Sequence, residues 1–137
     1  MRIEINTLQP DVFLRLYRSV GWEPPGHEQI ETALKHSLAT FTAYDGDTPL
    51  GMARLLGDAG MSFYVKDFAV LPESQRKGVG QLLLDALIAY IRDHKENNWA
   101  VSLELISSKS AIGFYKKNGF EERPCEWDGP GMIQMIR

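Results

Sequence analysis

The chain is poor in cysteine, long apolar runs and excess basic charge, the features that disulfide-rich, membrane-spanning and nucleic-acid-binding proteins require. It contains a single cysteine, Cys125, in 137 residues, which excludes an internal disulfide and any metal site built from several cysteines. No apolar run approaches the roughly 20 residues of a membrane span. Basic residues are not in excess, because the net charge is −3 and the pI about 5.6. A general attraction to nucleic acid or to an anionic membrane is therefore not expected.

The sequence also gives no support for a metal site, a catalytic thiol or a second domain. The histidines, His27, His36 and His94, have metal-ligand chemistry but no supporting cluster in the sequence, so none is assigned to a metal. Cys125 has no histidine close in sequence, which argues against a catalytic thiol. The length and the lack of repeats or linkers predict one domain over residues 1–137. The cytoplasm is the expected compartment.

The most informative segment that is present is a glycine turn, Gln75-Arg76-Lys77-Gly78-Val79-Gly80. It follows a strand-like run and precedes an apolar-striped helix predicted over Gly78 to Asn98. A backbone without bulky side chains at a helix start directs several N–H groups, and the positive end of the helix dipole, at one point. This arrangement favours phosphate binding. Tight turn geometry alone is the alternative use of such glycines.

Two common nucleotide-binding motifs do not fit this turn. A P-loop requires a lysine and then a serine or threonine after its second glycine, and no such run exists here. A dinucleotide-binding fingerprint requires a third glycine or alanine three residues further on, where Leu83 stands. What remains is a Gln/Arg-x-x-Gly-x-Gly/Ala turn.

Together with Phe114-Tyr115-Lys116-Lys117-Asn118-Gly119-Phe120 further along the chain, this turn resembles the GNAT superfamily of acyl-CoA N-acyltransferases. The resemblance implies an α/β (α+β) fold with a mixed, mostly antiparallel sheet of six to seven strands, about four helices and a splayed central strand pair. The predicted order of elements, β, α, α, β, β, β, α, β, α, β, β, agrees with it. Strands are predicted over Arg2 to Asn6, Ala39 to Tyr44, Leu50 to Leu56, Met61 to Leu71, Ala100 to Ile106, Gly119 to Arg123 and Met132 to Arg137. The other helices are predicted over Pro10 to Val20, His27 to Ser37 and Lys109 to Asn118.

The resemblance implies acetyl-CoA as co-substrate. In the family this turn binds the coenzyme pyrophosphate, so all six turn residues are predicted contacts: Gln75, Arg76, Lys77, Gly78, Val79 and Gly80. Backbone N–H groups near Phe68 would polarise the thioester carbonyl, and Val70 would pair with the pantetheine amides. Ser108 stands where many relatives have an asparagine, which makes it an altered candidate for one more coenzyme contact.

The strand before the turn contains a slip in its alternation. Odd-numbered apolar residues up to Val65 share one face, whereas Phe68 and Val70 have the opposite parity. A β-bulge between Lys66 and Asp67 would restore one core face. The alternative is a strand buried on both faces, which needs no alternation. In the family, a bulge here helps to splay the strand from its neighbour.

Acetyl transfer to an amine also needs an acid and a base. The tyrosine of the Phe-Tyr-x-x-x-Gly-Phe motif, here Tyr115, commonly acts as the general acid in the family; packing within a helix face is the alternative. Asp67 and Glu104 are the two candidates for the base, unless each forms only a structural ion pair.

The function predicted from the resemblance is N-acetylation of a primary amine, that of a small molecule, by direct transfer in a ternary complex. Trp22, Tyr17 and Arg54 are the candidate acceptor contacts, with core packing as the alternative for Trp22. A non-catalytic acyl-CoA-binding or sensing module, or a protein N-terminal or lysine acetyltransferase, is the alternative function. Dimerisation, common in the family, makes a homodimer a further expectation.

Overall fold

The computed structural model describes residues 1–137 and contains five strands and four helices. The strands are β1 (Arg2–Ile5), β2 (Ala39–Asp45), β3 (Thr48–Gly57), β4 (Ser62–Val70) and β5 (Ser102–Glu104). The helices are α1 (Pro10–Ser19), α2 (His27–His36), α3 (Val79–His94) and α4 (Ile112–Lys117), with short 3-10 turns at Pro72–Ser74 and Lys109–Ala111. None of these helices has the length and apolar character of a membrane span.

The chain divides into two compact units, Met1–Glu104 and Leu105–Arg137. The first unit contains the whole sheet and α1 to α3. The second contains α4 and the segment that follows it. The single domain that the sequence predicts over residues 1–137 stays a prediction.

The sheet of the first unit has the strand order β1-β2-β3-β4-β5. The first three pairings are antiparallel, and β4 pairs with β5 in parallel. This mixed, mostly antiparallel sheet has the fold class that the sequence predicts.

Helices cover both faces of the sheet. The cluster on one face contains Phe13 and Leu16 of α1, Ile30 of α2 and Met52 of β3. Because successive Cβ positions alternate between the two faces of a sheet, Gly51, the residue before Met52, faces the opposite side. There a Cβ on Gly51 would lie 3.1 Å from Leu83 of α3, so the glycine lets α3 lie close to the sheet.

The apolar stripe of α3 is buried in part as its spacing predicts, with Leu82, Ala86 and Tyr90 half-buried. The buried residues of this helix are Val79, Leu83, Leu84, Leu87 and Ile91, of which Leu84 lies outside the predicted spacing. The helix ends at His94 rather than Asn98, because no apolar position follows Ile91 to hold another turn against the sheet.

The prediction of two further strands was wrong, so the sheet has five strands instead of six to seven. The isolated bridge Cys125–Asp128 is the only pairing after β5. A strand requires a partner for its backbone N–H and C=O groups, and neither predicted segment, 119–123 or 132–137, pairs with a strand of the sheet. The apolar side chains after Pro130 stay largely exposed, with Met132 at 90% and Ile136 at 82%.

Candidate active site

The glycine turn leads into α3 through two residues with positive φ, Arg76 at 61° and Gly78 at 86°. Gly78 is the N-cap and no side chain caps the helix. The first bond of the helix runs from the Leu82 N–H to the Gly78 carbonyl at 3.0 Å. The N–H groups of Val79 and Gly80 therefore have no acceptor within the helix. A turn in which residues with positive φ alternate with residues with negative φ gathers backbone N–H groups into a concave site for an anion.

Gly78 is required here for its conformation and not for space. A Cβ at this position would meet no atom within 4 Å, whereas its positive φ disfavours other residues. Arg76 and Lys77 are exposed beside it. The turn thus presents backbone donors, two cations and open space together, which suits a phosphate or diphosphate.

The strand that leads to this turn is open along part of one edge. β4 pairs with β5 only from Ser62 to Tyr64, so β5 supplies no partner for residues 65–70. On the other side, the Leu71 N–H donates to the Leu50 carbonyl at 2.8 Å. Because backbone groups alternate in direction along an antiparallel strand, those of Val70 point away from β3, toward the open edge. The splayed central strand pair that the sequence predicts thus corresponds to β4 and β5, whose parallel pairing stops at Tyr64.

The predicted bulge in β4 is confirmed. Between Lys66 and Ala69 the register with β3 shifts, so that Asp67 and Phe68 lie opposite Ala53 alone. Asp67 has a φ of 52°, a conformation that aspartate tolerates better than most residues. The extra residue turns the Asp67 side chain toward the α1–α2 face of the sheet, where Arg54 meets it.

Asp67 and Arg54 form a largely buried ion pair. The Arg54 Nε lies 2.6 Å from the Asp67 Oδ2, and the side chains are 12% and 11% exposed. The Arg54 Nη1 also donates to the Ser37 Oγ at 3.2 Å and to the Ala33 carbonyl at 3.5 Å. One guanidinium therefore holds the bulge carboxylate and caps the last turn of α2. The sequence predicts Arg54 as an acceptor contact, and that role stays a prediction.

Two of the predicted acceptor residues lie together near this pair. The rings of Tyr17 and Trp22 meet edge to face at 5.0 Å, and Phe13 stacks on Tyr17 at 5.1 Å. Trp22 remains 37% exposed. Burial raises the pKa of Tyr17, and the negative charge of Asp67 raises it further. The positive charge of Arg54 lowers that pKa and so opposes the rise. Tyr17 is thus the link in this region, since its ring contacts Trp22 and the charges of Asp67 and Arg54 act on its phenol.

The other candidate base, Glu104, lies in β5 opposite Tyr64 and is exposed. Burial raises the pKa of Tyr64, and the charge of Glu104 raises it further. Glu104 is therefore placed where β4 and β5 are still paired, three residues along β4 from Asp67. The two carboxylates differ in setting, since one is exposed and the other is buried against a guanidinium.

In the second unit, Tyr115 is 8% exposed. Its ring meets those of Phe114 and Phe120 edge to face at 5.2 and 5.5 Å. Burial raises its pKa to about 12, so the phenol keeps its proton at neutral pH. Ser108 is exposed and is the N-cap of the 3-10 turn before α4. The roles predicted for Tyr115 and Ser108 stay predictions.

A family model described as an acetyltransferase (GNAT) domain matches residues 36–122, well over half of the chain. The chain belongs to the GNAT superfamily. The matched range of this GNAT chain includes the bulge, the glycine turn and Tyr115. Tyr17 and Trp22 lie before it.

Solved structures support the same assignment. The probable acetyltransferase SA2161 of meticillin-resistant Staphylococcus aureus is 30% identical to this GNAT chain with a TM-score of 0.84, over 98% of this chain and 100% of that one. The GNAT family protein SP0256 of Streptococcus pneumoniae TIGR4 is 34% identical with a TM-score of 0.80, over 99% of each chain.

Longer relatives match as well. The uncharacterized N-acetyltransferase ycf52 of Porphyra purpurea is 30% identical over 114 residues, which are 80% of this GNAT chain and 63% of the relative. Serotonin N-acetyltransferase 2, chloroplastic, of Oryza sativa subsp. japonica is 28% identical over 113 residues, 80% of this chain and 54% of that protein. The chain thus spans less than two thirds of the length of these curated relatives.

Two contacts in the GNAT site have no signal in the sequence. Ser37, predicted only as a helix end, accepts a hydrogen bond from Arg54. The side chain of Gln75 bonds back to the Val70 carbonyl at 3.1 Å. Both contacts join segments through side-chain rotamers, which neither periodicity nor motif spacing records.

Proposed function

We propose that the chain transfers the acetyl group of acetyl-CoA directly to a primary amine of a small molecule in a ternary complex. The observation that carries this proposal is the turn at residues 75–80, where uncapped N–H groups at the start of α3 adjoin the open edge of β4. The turn suits the diphosphate of the coenzyme. The edge suits its amide-bearing pantetheine arm, and membership of the GNAT superfamily supports the reaction class.

Backbone N–H groups and basic side chains of the turn have different roles in the proposed site. The N–H groups of Val79 and Gly80 would bind the pyrophosphate directly, with Arg76 and Lys77 contributing charge. Along the edge, the backbone of Val70 would pair with a pantetheine amide, and N–H groups near Phe68 would polarise the thioester carbonyl.

In the reaction, the amine nitrogen attacks the thioester carbonyl carbon. A C–N bond forms, the C–S bond breaks, and the amine loses one proton while the thiolate gains one. Asp67 or Glu104, directly or through water, would accept the first proton, and Tyr115 would supply the second. A phenol whose pKa is about 12 is protonated at neutral pH, as an acid must be before transfer.

The acceptor that we propose is an amine with an aromatic or flat apolar body. The exposed part of Trp22 against Tyr17 offers such a body an aromatic surface, and the charge of Asp67 acts on the same Tyr17. The similarity to serotonin N-acetyltransferase 2 supports an aromatic amine. The pair Arg54–Asp67 is neutral as a whole, so shape and aromatic contact would govern selection more than charge would.

The experiment is an assay of CoA thiol release from acetyl-CoA with a panel of aromatic amines, polyamines, amino sugars and short peptides. We expect saturable release with aromatic amines and a matching mass increase of about 42 Da on the amine, because an acetyl group replaces one hydrogen. Acetyl-CoA binding without release for any amine would instead support a non-catalytic sensing module. Release with peptides alone would support a protein acetyltransferase.

We also infer that the protein acts in the cytoplasm as a homodimer. The single cysteine is consistent with a reducing compartment. Exposed apolar residues, among them Trp127 at 72% and Ile133 at 73%, are surface that a second copy would cover. Light scattering tests the assembly, because a mass of one chain across the micromolar range would contradict a dimer.

A further inference from the structure

The phosphate turn is tied to β4 by one side chain. The Gln75 Nε2 donates to the Val70 carbonyl at 3.1 Å. Between the two residues the chain passes through a short 3-10 turn, in which the Ser74 N–H donates to the Leu71 carbonyl at 2.8 Å. The side-chain bond therefore closes a small loop whose ends are the last residue of the strand and the first residue of the glycine turn.

The carbonyl that Gln75 binds belongs to the open edge. Val70 directs its backbone groups away from β3, as the Leu71 to Leu50 bond shows. A carbonyl oxygen has two lone pairs and the Gln75 amide uses one of them. The N–H of Val70 stays on the same edge for a ligand.

The residue after Gln75 needs such an anchor. Arg76 has a φ of 61°, which is unfavourable for a residue with a Cβ. Strained backbone persists only where its surroundings fix it. Gln75 is exposed, so hydrogen bonds, and not burial, fix the entry into the turn. Its backbone N–H donates to the Pro72 carbonyl at 3.3 Å, and its side chain adds the only bond from this residue to β4.

We infer that Gln75 is a positioning residue that couples the open edge of β4 to the phosphate turn. It holds the N–H groups of the turn at a fixed distance from the strand, so that one ligand meets both surfaces without first ordering the turn. This inference rests on the proposed function, because the ligand that spans both surfaces is CoA.

Three variants separate the hydrogen bond from other properties of the side chain. Gln75→Met keeps the length but has no donor, and Gln75→Arg keeps a donor. Gln81→Met is the matched control, since Gln81 donates to Asp85 within α3 at 2.9 Å. Backbone ¹⁵N order parameters of residues 76–78 are measured without ligand, and calorimetry gives Kd for CoA and for pantetheine, which lacks phosphate.

For Gln75→Met we expect the order parameters to fall from about 0.85 toward about 0.6. Loss of one hydrogen bond should raise the Kd of CoA about fivefold to tenfold, with the Kd of pantetheine changed less than about twofold because the strand edge stays intact. With acetyl-CoA, KM should rise while kcat holds. Gln75→Arg should restore the order parameters, and Gln81→Met should match the unaltered protein in every measurement.

Unchanged order parameters in Gln75→Met would overturn the inference, as would equal losses for CoA and pantetheine. If the unaltered protein binds neither ligand, the proposed function fails. The order parameters then still decide whether Gln75 fixes the turn.

Discussion

Tyr115 has the two properties that a general acid needs at neutral pH, a proton and a fixed orientation. Burial raises its pKa to about 12, and the rings of Phe114 and Phe120 hold it edge on. Tyr115→Phe removes the proton and keeps the packing ring. We expect turnover to fall by about two to four powers of ten, with the Kd of acetyl-CoA changed little.

Tyr44→Phe is the control, because it makes the same change on β2, outside the proposed machinery. Turnover is measured where chemistry limits the rate. Full turnover in Tyr115→Phe would make Tyr115 a packing residue. In the unaltered protein, the activity at pH 8 to 10 should show no decline from ionisation of Tyr115, since its pKa lies at about 12.

Asp58 stabilises the loop between β3 and β4 and has no role in the proposed reaction. Its Oδ1 accepts hydrogen bonds from the N–H groups of Gly60, Met61 and Ser62 at 2.8 to 3.0 Å. These bonds lower the pKa of the carboxyl. The stabilisation is therefore present above the unfolded pKa of about 3.9 and is lost as the pH falls through the lower, folded pKa.

Asp58→Asn should consequently reduce the free energy of unfolding at pH 7 and have progressively less effect as the pH is lowered below about 4. Urea unfolding of both proteins from pH 7 to pH 2 measures the difference. Asp45→Asn, at an exposed strand end, is the matched control. A difference that stayed constant with pH would show that the charge of Asp58 contributes nothing.

At the scale of elements, the bulge of β4 places a candidate base against a guanidinium. If Asp67 assists deprotonation, Asp67→Asn should lower activity with protonated amines near neutral pH by about two to four powers of ten. Activity should recover in part as a higher pH supplies free amine. A loss that is the same at every pH would leave Asp67 with a role in orientation only.

Arg54→Met is the companion variant for this prediction. It leaves the Asp67 carboxylate in place without its partner, and breaking a buried pair in this way costs about 3 to 5 kcal/mol. Urea unfolding should detect that loss. The double variant Asp67→Asn, Arg54→Met should recover part of the stability, because no unpaired charge remains. A double variant less stable than Arg54→Met would contradict the pairing as a source of stability.

The elements that the sequence predicts well are those with a local physical signature. The stripe of α3 follows from spacing, and the bulge follows from a parity change between Val65 and Phe68. The segment Met132 to Arg137 has equally strand-like composition, yet it is not a strand, because pairing depends on a partner that composition does not specify. Likewise, the role of Arg54 as partner of Asp67 depends on the fold that brings β3 and β4 together.

At the scale of the whole molecule, two of the three proposed acceptor contacts lie outside the part of the chain that the family model matches. The GNAT model matches residues 36–122, which contain the glycine turn and the bulge. Tyr17 and Trp22, on α1 and just after it, lie outside that range. Changes at Trp22 should therefore alter the preference among amines and leave coenzyme affinity unchanged, which the same assay of thiol release measures with Trp22→Ala.

Binding of acetyl-CoA should also stabilise the folded protein against heat. A ligand at 100 times its Kd adds about 2.7 kcal/mol, which for a chain of this size raises Tm by roughly 10 °C. Gly80→Glu should abolish the increase, because it adds bulk and negative charge where the N–H groups of the turn would meet phosphate.

Gly26→Glu is the control, since it adds the same side chain at the start of α2, where a Cβ would meet no atom within 4 Å. The Tm of Gly80→Glu without ligand should stay near that of the unaltered protein. An undiminished increase with acetyl-CoA in Gly80→Glu would contradict the assignment of the turn to the coenzyme phosphates.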